Sequence, residues 1–493
     1  MKKYHSLLMS LLVAFLFTIS GCFGFDPPAP EETAPSHQPG GHSDQPGNTE
    51  QSEQSTHEKG SGIEDQTGSQ PDTEYPPEGK EDDSEKENQS EIGNGKPSGN
   101  MNETSENAQD KGGKSEEPEP DNEPEAPGKS IPAVVQNMTL NEKIGQLVMV
   151  GVNGTQPGSH IKALIRDYHV GGIILYGKNI ETAGQTVQFL NQLKSINDKA
   201  NNPFPLFLSV DQEGGRVERM PDAIEELPSQ GKVGKAGDPG FARQIGQLIG
   251  TELSAFGFNM DFAPVLDVIR DPETSVIGDR SFGSDSQLVS ELGVAAMKGI
   301  ASENVIPVVK HFPGYGEVST NAHTGLPVAK VSLERLQNVD WVPYQKAIAN
   351  GADVVMVTHI LLPKLNTDYP ASMSQKVITG MLRDKLGFDG VVITDDMTMG
   401  AIKENYKIDQ AAVRSVKAGA DIVLVAFNYN QQISVLHALK QAVKDGEISK
   451  EQLNRNVRRI LRLKRGYGLT NSPEGKVDVD RLNHQIRTVL ETN

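Results

Sequence analysis

The chain has 493 residues, 36% of them hydrophobic, with one cysteine and a formal net charge of −19. The charge is uneven: residues 26–130 hold 27 Asp and Glu against 7 Lys and Arg, whereas 131–493 hold 39 against 38. So acidic a segment, with Ile63, Ile92 and Met101 as its only large aliphatics, cannot bury a core, the near-neutral remainder argues against nucleic-acid binding, and a lone cysteine excludes intrachain disulfides and thiolate metal clusters.

The N-terminus reads as a signal peptide over 1–21. Lys2 and Lys3 give the positive start, and 7–19 the apolar run. That run is short for a bilayer span, which needs about 20 residues. Ile19-Ser20-Gly21-Cys22 follows and resembles the bacterial lipobox, in which the peptide is cleaved before the cysteine and the thiol takes a lipid. An ordinary secretory peptide or a short membrane anchor is the alternative. Residues 22–130 are then a lipidated Cys22 and an acidic tether, rich in Pro, Gly, Ser and Glu and expected to be disordered. Such a tether would place a domain at the extracellular face of the membrane, reaching into the cell-wall zone.

From residue 131 the pattern changes. Apolar, β-rich runs recur at 147–152, 171–177, 206–213, 260–268, 306–313, 353–360, 390–396 and 421–427. Their starts lie 24, 35, 54, 46, 47, 37 and 31 residues apart, room for a helix and two loops each. Apolar on nearly every position, they suit strands covered on both faces. Eight such units predict an α/β fold, a (β/α)8 TIM barrel, within a single domain over 131–493. A doubly wound open sheet is the alternative, though no Gly-x-Gly-x-x-Gly turn follows the first run. Helices are predicted near 141–147. Helical spacing also links Phe241, Ile245, Leu248, Ile249 and Leu253; then Leu436, Leu439 and Val443; then Leu453, Val457, Ile460 and Leu461. No second globular domain is expected after the eighth unit.

In a barrel of this kind the chemistry sits at the C-terminal strand ends. The third run ends Asp211-Gln212-Glu213-Gly214-Gly215-Arg216. The fourth ends near Asp267, followed by Asp279-Arg280-Ser281-Phe282-Gly283. The fifth ends Lys310-His311-Phe312-Pro313-Gly314, the sixth Thr358-His359, and the seventh Thr394-Asp395-Asp396. A carboxylate closing an apolar strand costs desolvation energy unless a partner or substrate compensates. For any one of these residues a salt bridge or loop cap explains as much as a function does. Five such ends on one face favour a site. Arg, Lys, His and Asp around a pocket can hydrogen-bond many hydroxyls, so a carbohydrate is the expected partner, and the carboxylates suit glycoside chemistry. With no cluster at metal spacing, no P-loop and no Gly-x-Ser-x-Gly elbow, neither a metal nor another cofactor is expected.

Lys310-His311-Phe312-Pro313-Gly314-Tyr315-Gly316, then His323-Thr324-Gly325-Leu326-Pro327-Val328, resembles glycoside hydrolase family 3, in its bacterial β-N-acetylglucosaminidase (β-N-acetylhexosaminidase) branch. Asp211-Gln212-Glu213-Gly214-Gly215-Arg216-Val217, Phe262-Ala263-Pro264-Val265-Leu266-Asp267, Arg280-Ser281-Phe282-Gly283 and Gly387-Phe388-Asp389-Gly390-Val391-Val392-Ile393-Thr394-Asp395 fit the same pattern, and the likeness covers roughly 131–469. The resemblance implies a retaining hydrolase with Asp395 as nucleophile and His323 as acid/base on a loop after the fifth strand. It implies that Asp211, Arg280, Lys310 and His311 bind the terminal sugar. Asp396 is expected to hold the loop instead.

The chain departs from the family at three places. The position two before the histidine is usually aspartate and is Asn321 here; Tyr315 and Glu317 replace the common His and Asp. Asparagine can accept a hydrogen bond but brings no charge to an imidazolium. Asn321 and Glu317 are therefore the candidates for supporting the acid/base. The resulting expectation is an exo-acting β-N-acetylglucosaminidase releasing terminal N-acetylglucosamine from cell-wall or related glycans, and a monomer. The alternatives are a family 3 β-glucosidase, a glycosyl phosphorylase, or a non-catalytic glycan-binding lipoprotein.

Overall fold

The computed structural model describes residues 130–270, 275–316, 318, 321–323, 325–365 and 367–493. The signal peptide, Cys22, the tether and Glu317 lie outside the described residues.

Eight parallel strands close into a barrel in chain order. They are β1 (Val148–Gly151), β2 (Gly172–Ile174), β3 (Phe207–Val210), β4 (Met260–Asp261), β5 (Ile306–Phe312), β6 (Val354–Val357), β7 (Val391–Asp396) and β8 (Ile422–Val425). Each falls inside one of the apolar runs. Nearly every strand residue is buried, as an inner layer roofed by helices requires. The seam closes where Val148 aligns with Val423 and Val150 with Val425.

The helices form where the spacing predicts. Thr139 and Glu142 make a reciprocal capping box before Leu140–Gln146. Pro239–Phe256 starts on an Asp238 cap with proline in its first turn, and ends at Gly257 with φ 97°. Its predicted stripe of Phe241, Ile245, Leu248, Ile249 and Leu253 is buried. So are Leu453, Val457, Ile460 and Leu461 of Lys450–Gly466. Burying one such aliphatic side chain contributes about 1.5–3 kcal/mol. On the barrel's lower side, Lys464 reaches inward, its Nζ donating to Gln146 Oε1 (2.8 Å), Gly171 O (2.8 Å) and Pro205 O (2.7 Å).

The strands are shorter than the apolar runs, and the shortfall positions the site. β4 stops at Asp261 because Pro264 has no N–H for a ladder. Pairing resumes one step on: Lys310 N–H donates to Pro264 O (3.2 Å), and Leu266 N–H to Lys310 O (2.6 Å). The β5–β6 register shifts between Val309 and Phe312, and the β7–β8 register between Ile393 and Asp396. An irregularity of this kind re-aims the side chains it carries. The two carry Lys310 with His311, and Asp395.

Candidate active site

Glu213, at the end of β3, is 1% exposed and lies between two cations. Arg280 grips it with two parallel bonds, Nε to Oε2 and Nη2 to Oε1, both 2.7 Å. Lys310 Nζ lies 2.6 Å from Oε1 and 2.5 Å from Asp211 Oδ1. Burial opposes a charge on Glu213, but Arg280 and Lys310 outweigh it and hold the carboxyl well below the usual carboxylate range. Burial likewise opposes the charge on Lys310, and Asp211 and Glu213 reverse the effect and push its pKa up. Glu213 is therefore ionised between the two cations at neutral pH, with Asp211 and Arg280 partly open to the cleft.

His311 is the adjacent wall. Its Nδ1 lies 2.7 Å from Asp267 Oδ2. Arg280 Nη2 is 3.4 Å from its Nε2. A guanidinium only donates, so Nε2 accepts and the ring proton sits on Nδ1, facing Asp267. Asp267 Oδ1 also accepts from the Tyr315 N–H at 2.7 Å.

Asp395 closes β7. Its Oδ1 accepts from the Asp396 N–H (2.9 Å) and its Oδ2 from the Thr358 hydroxyl (3.2 Å). Burial resists ionisation here too. The imidazoles of His359, His311 and His323 and the Asp396 N–H overcome it, so the carboxyl lies below its ordinary range. Asp396 faces away: its Oδ1 takes the Ala426 and Thr398 N–H groups (3.0 and 2.9 Å), and its Oδ2 the Thr398 hydroxyl (2.7 Å). Burial pushes it up to about 6. One carboxylate thus points to the cleft and the next ties β7 to β8 and the following loop. His359 is fully buried under Asp395; its Nε2 donates to Asp396 O (2.9 Å), and its Nδ1 meets Ser372 Oγ (2.7 Å). Burial lowers its pKa. Protonation at Nε2 satisfies the Asp396 carbonyl.

His323 is exposed and close enough to Asp395 to act on its charge. The segment carrying it is seated from both sides. Tyr315 Oη accepts from the Ala322 N–H (3.0 Å), and Ala322 O accepts from the Ala401 N–H (2.9 Å). Asn321 Oδ1 accepts from the backbone N–H of His323 (3.0 Å), so this contact fixes the segment's path rather than gripping the ring. Gly400 admits the segment: a Cβ there would stand 2.5 Å from His323 O.

The structure thus brings Asp211, Arg280, Lys310 and His311 into one wall, with Asp395 within electrostatic range of both His311 and His323. The sequence reading did not single out Glu213, Asp267, Thr358 and His359 as site residues, although all four stood in the strand-end motifs. Chain position alone does not tell which carboxylate of Asp211-Gln212-Glu213 is sequestered. Among the described residues no group of three or more His, Cys, Asp or Glu side chains is placed to hold a metal ion.

The family model of the glycosyl hydrolase family 3 N-terminal domain matches residues 139–463. Beta-hexosaminidase LpqI of Mycobacterium tuberculosis is 35% identical over 341 residues, covering 68% of this chain and 84% of that protein. Beta-hexosaminidase A of Pseudoalteromonas piscicida is 31% identical over 327 residues, or 62% of this chain; the chain spans only 54% of that relative's length. Among solved structures, a glycoside hydrolase family 3 beta-N-acetylglucosaminidase from Paenibacillus sp. str. FPU-7 superposes with a TM-score of 0.68 at 39% identity, covering 72% of this chain and 68% of that one.

Proposed function

This chain belongs to glycoside hydrolase family 3, and on that premise we propose that it is a retaining exo-β-N-acetylglucosaminidase of cell-wall-derived or related glycans. The observation that carries the reading is an ionised Asp395 within electrostatic range of His323, beside a wall of Asp211, Arg280, Lys310 and His311. Asp211 and the outer edge of Arg280 hold the hydroxyls of the terminal sugar through charge-assisted bonds, with Lys310 behind them fixing Asp211. The Asp395 carboxylate attacks the anomeric carbon. As that bond forms, the bond to the leaving oxygen breaks and His323 gives the oxygen a proton. Water then enters, His323 takes its proton, and the hydroxide displaces Asp395, restoring the β configuration.

Two measurements test this reading. His323→Ala is expected to lower kcat/KM by about 10²–10⁴-fold on an alkyl N-acetylglucosaminide, whose leaving oxygen needs a proton. On a nitrophenyl glycoside, whose leaving group needs none, the loss is expected to be far smaller. Equal losses on both substrates would remove His323 from the acid role, and faster turnover of a nitrophenyl glucoside would favour the glucosidase alternative.

Location is part of the proposal. No helix among the described residues is long and apolar enough to cross a bilayer. The lipobox-like Ile19-Ser20-Gly21-Cys22 supports anchoring through Cys22, with the catalytic body held outside the cell on its acidic tether. The expected result is partitioning of the full chain into the detergent phase, lost in Cys22→Ala. A variant that still partitions would show that another feature holds the membrane.

A further inference from the structure

The chemistry above occupies the ends of β3 to β7. At the ends of β8 and β1 the structure contains a cavity of about 160 Å³. Asn153, Ser159, His160, Phe427, Asn428 and Tyr429 are among its walls. The His160 and Tyr429 rings stack in parallel, centroids 4.1 Å apart and planes 7° apart. Phe427 meets Tyr176, beyond β2, at 5.0 Å, and Lys178 Nζ stands 4.1 Å from the Phe427 centroid. The rim from β2 through β1 to β8 is thus lined with aromatic rings.

The floor of this cleft is braced. Gln432, fully enclosed, donates through Nε2 to Gly151 O (3.2 Å), Val425 O (3.0 Å) and Ala426 O (3.3 Å). Asn179 donates to Val152 O (3.0 Å) and Gly154 O (2.8 Å). Side-chain amides therefore fix the strand ends before any ligand arrives, which lowers the ordering cost of binding. The cleft also adjoins the strand that carries the reacting carboxylate: Ala426, in its wall, donates its N–H to Asp396, the residue after Asp395. From β7 to β1 is two strand spacings, about 10 Å.

We propose that this cleft is a saccharide subsite for the sugars beyond the cleaved bond. A pyranose ring has apolar C–H faces and a polar edge. The rings of Phe427 and Tyr429 suit the faces, and Asn153, Ser159 and Asn428 suit the edge. The subsite rests on the hydrolase reading and gives that enzyme its preference for a chain over a single sugar.

The full chain is compared with His160→Ala, which removes an exposed ring, and Phe427→Leu, which keeps an apolar side chain. The substrates are a nitrophenyl N-acetylglucosaminide and the β-1,4-linked N-acetylglucosamine tetramer. Each variant is expected to raise KM for the tetramer about 5- to 10-fold, the worth of an aromatic contact, with kcat and the nitrophenyl substrate unchanged. An unaltered tetramer KM, or equal losses on both substrates, overturns the proposal. If the parent turns over neither substrate, the hydrolase reading fails by itself. Calorimetric titration of the tetramer into Asp395→Asn, with and without His160→Ala, still reads the cleft: weaker binding with the second change supports it, and unchanged binding overturns it.

Discussion

Asp395→Ala is expected to lower turnover of a nitrophenyl N-acetylglucosaminide by about 10⁴-fold or more while leaving the fold intact. The two effects separate because Asp395 contributes little to packing. Among the described residues its hydrogen-bond partners are one backbone N–H and one hydroxyl, each worth about 1 kcal/mol. The neighbouring imidazoles and the Asp396 N–H, acting against burial, keep this half-enclosed carboxylate ionised. A small external nucleophile sharpens the test. In Asp395→Gly, azide should take the vacated position, attack from the same side as the carboxylate, and leave a glycosyl azide of inverted configuration. Asp395→Ala activity within tenfold of the parent would show that the nucleophile lies elsewhere.

Glu213→Gln has the largest expected effect on stability. The carboxylate satisfies Arg280 and Lys310 at once, and its loss leaves buried Lys310 with Asp211 alone and Arg280 without its bidentate partner. Breaking a buried pair in this way costs about 3–5 kcal/mol. The pH dependence follows from the direction of the shift. Glu213 is held well below its ordinary value near 4.5, so its contribution is complete above that pH and is lost as pH falls toward the folded-state value. Urea unfolding of parent and variant should therefore show a gap at pH 7 that narrows by pH 4. A gap equally wide at both would mean that Glu213 stabilises by packing alone. Activity should fall as well, because Arg280 and Lys310 lose the anchor that aims them at the sugar.

The barrel was legible because both its signals are local. Runs such as 306–313 and 421–427 are apolar on consecutive positions, and their spacing leaves room for little but a helix. The bounds were less so. Nothing in 260–268 except Pro264 marks where β4 stops, and the register shift beneath Asp395 has no sequence signature. The site divides in the same way. Strand-end position and motif resemblance both mark Lys310, His311 and Asp395. Which neighbour of Asp211 is sequestered depends on Arg280, 67 residues from Glu213 in the chain, and that distance closes only in the folded barrel. Asn321 is the instructive case. The sequence suggests support for an imidazole; the geometry has its carbonyl on a backbone N–H, a local turn that needs no charge. Tyr315, noted only as a departure from the family, secures Ala322 and with it the His323 segment.

The buried Nζ of Lys464 has a consequence for the extent of the folding unit. It joins the last barrel helix to the Gln146 side chain and the Gly171 and Pro205 carbonyls beneath the first three strands, yet it lies one residue past the stretch matched by the family profile. A polypeptide trimmed to that stretch would lose the bolt while keeping all eight staves, and three oxygens at the foot of the barrel would face each other with no proton donor between them.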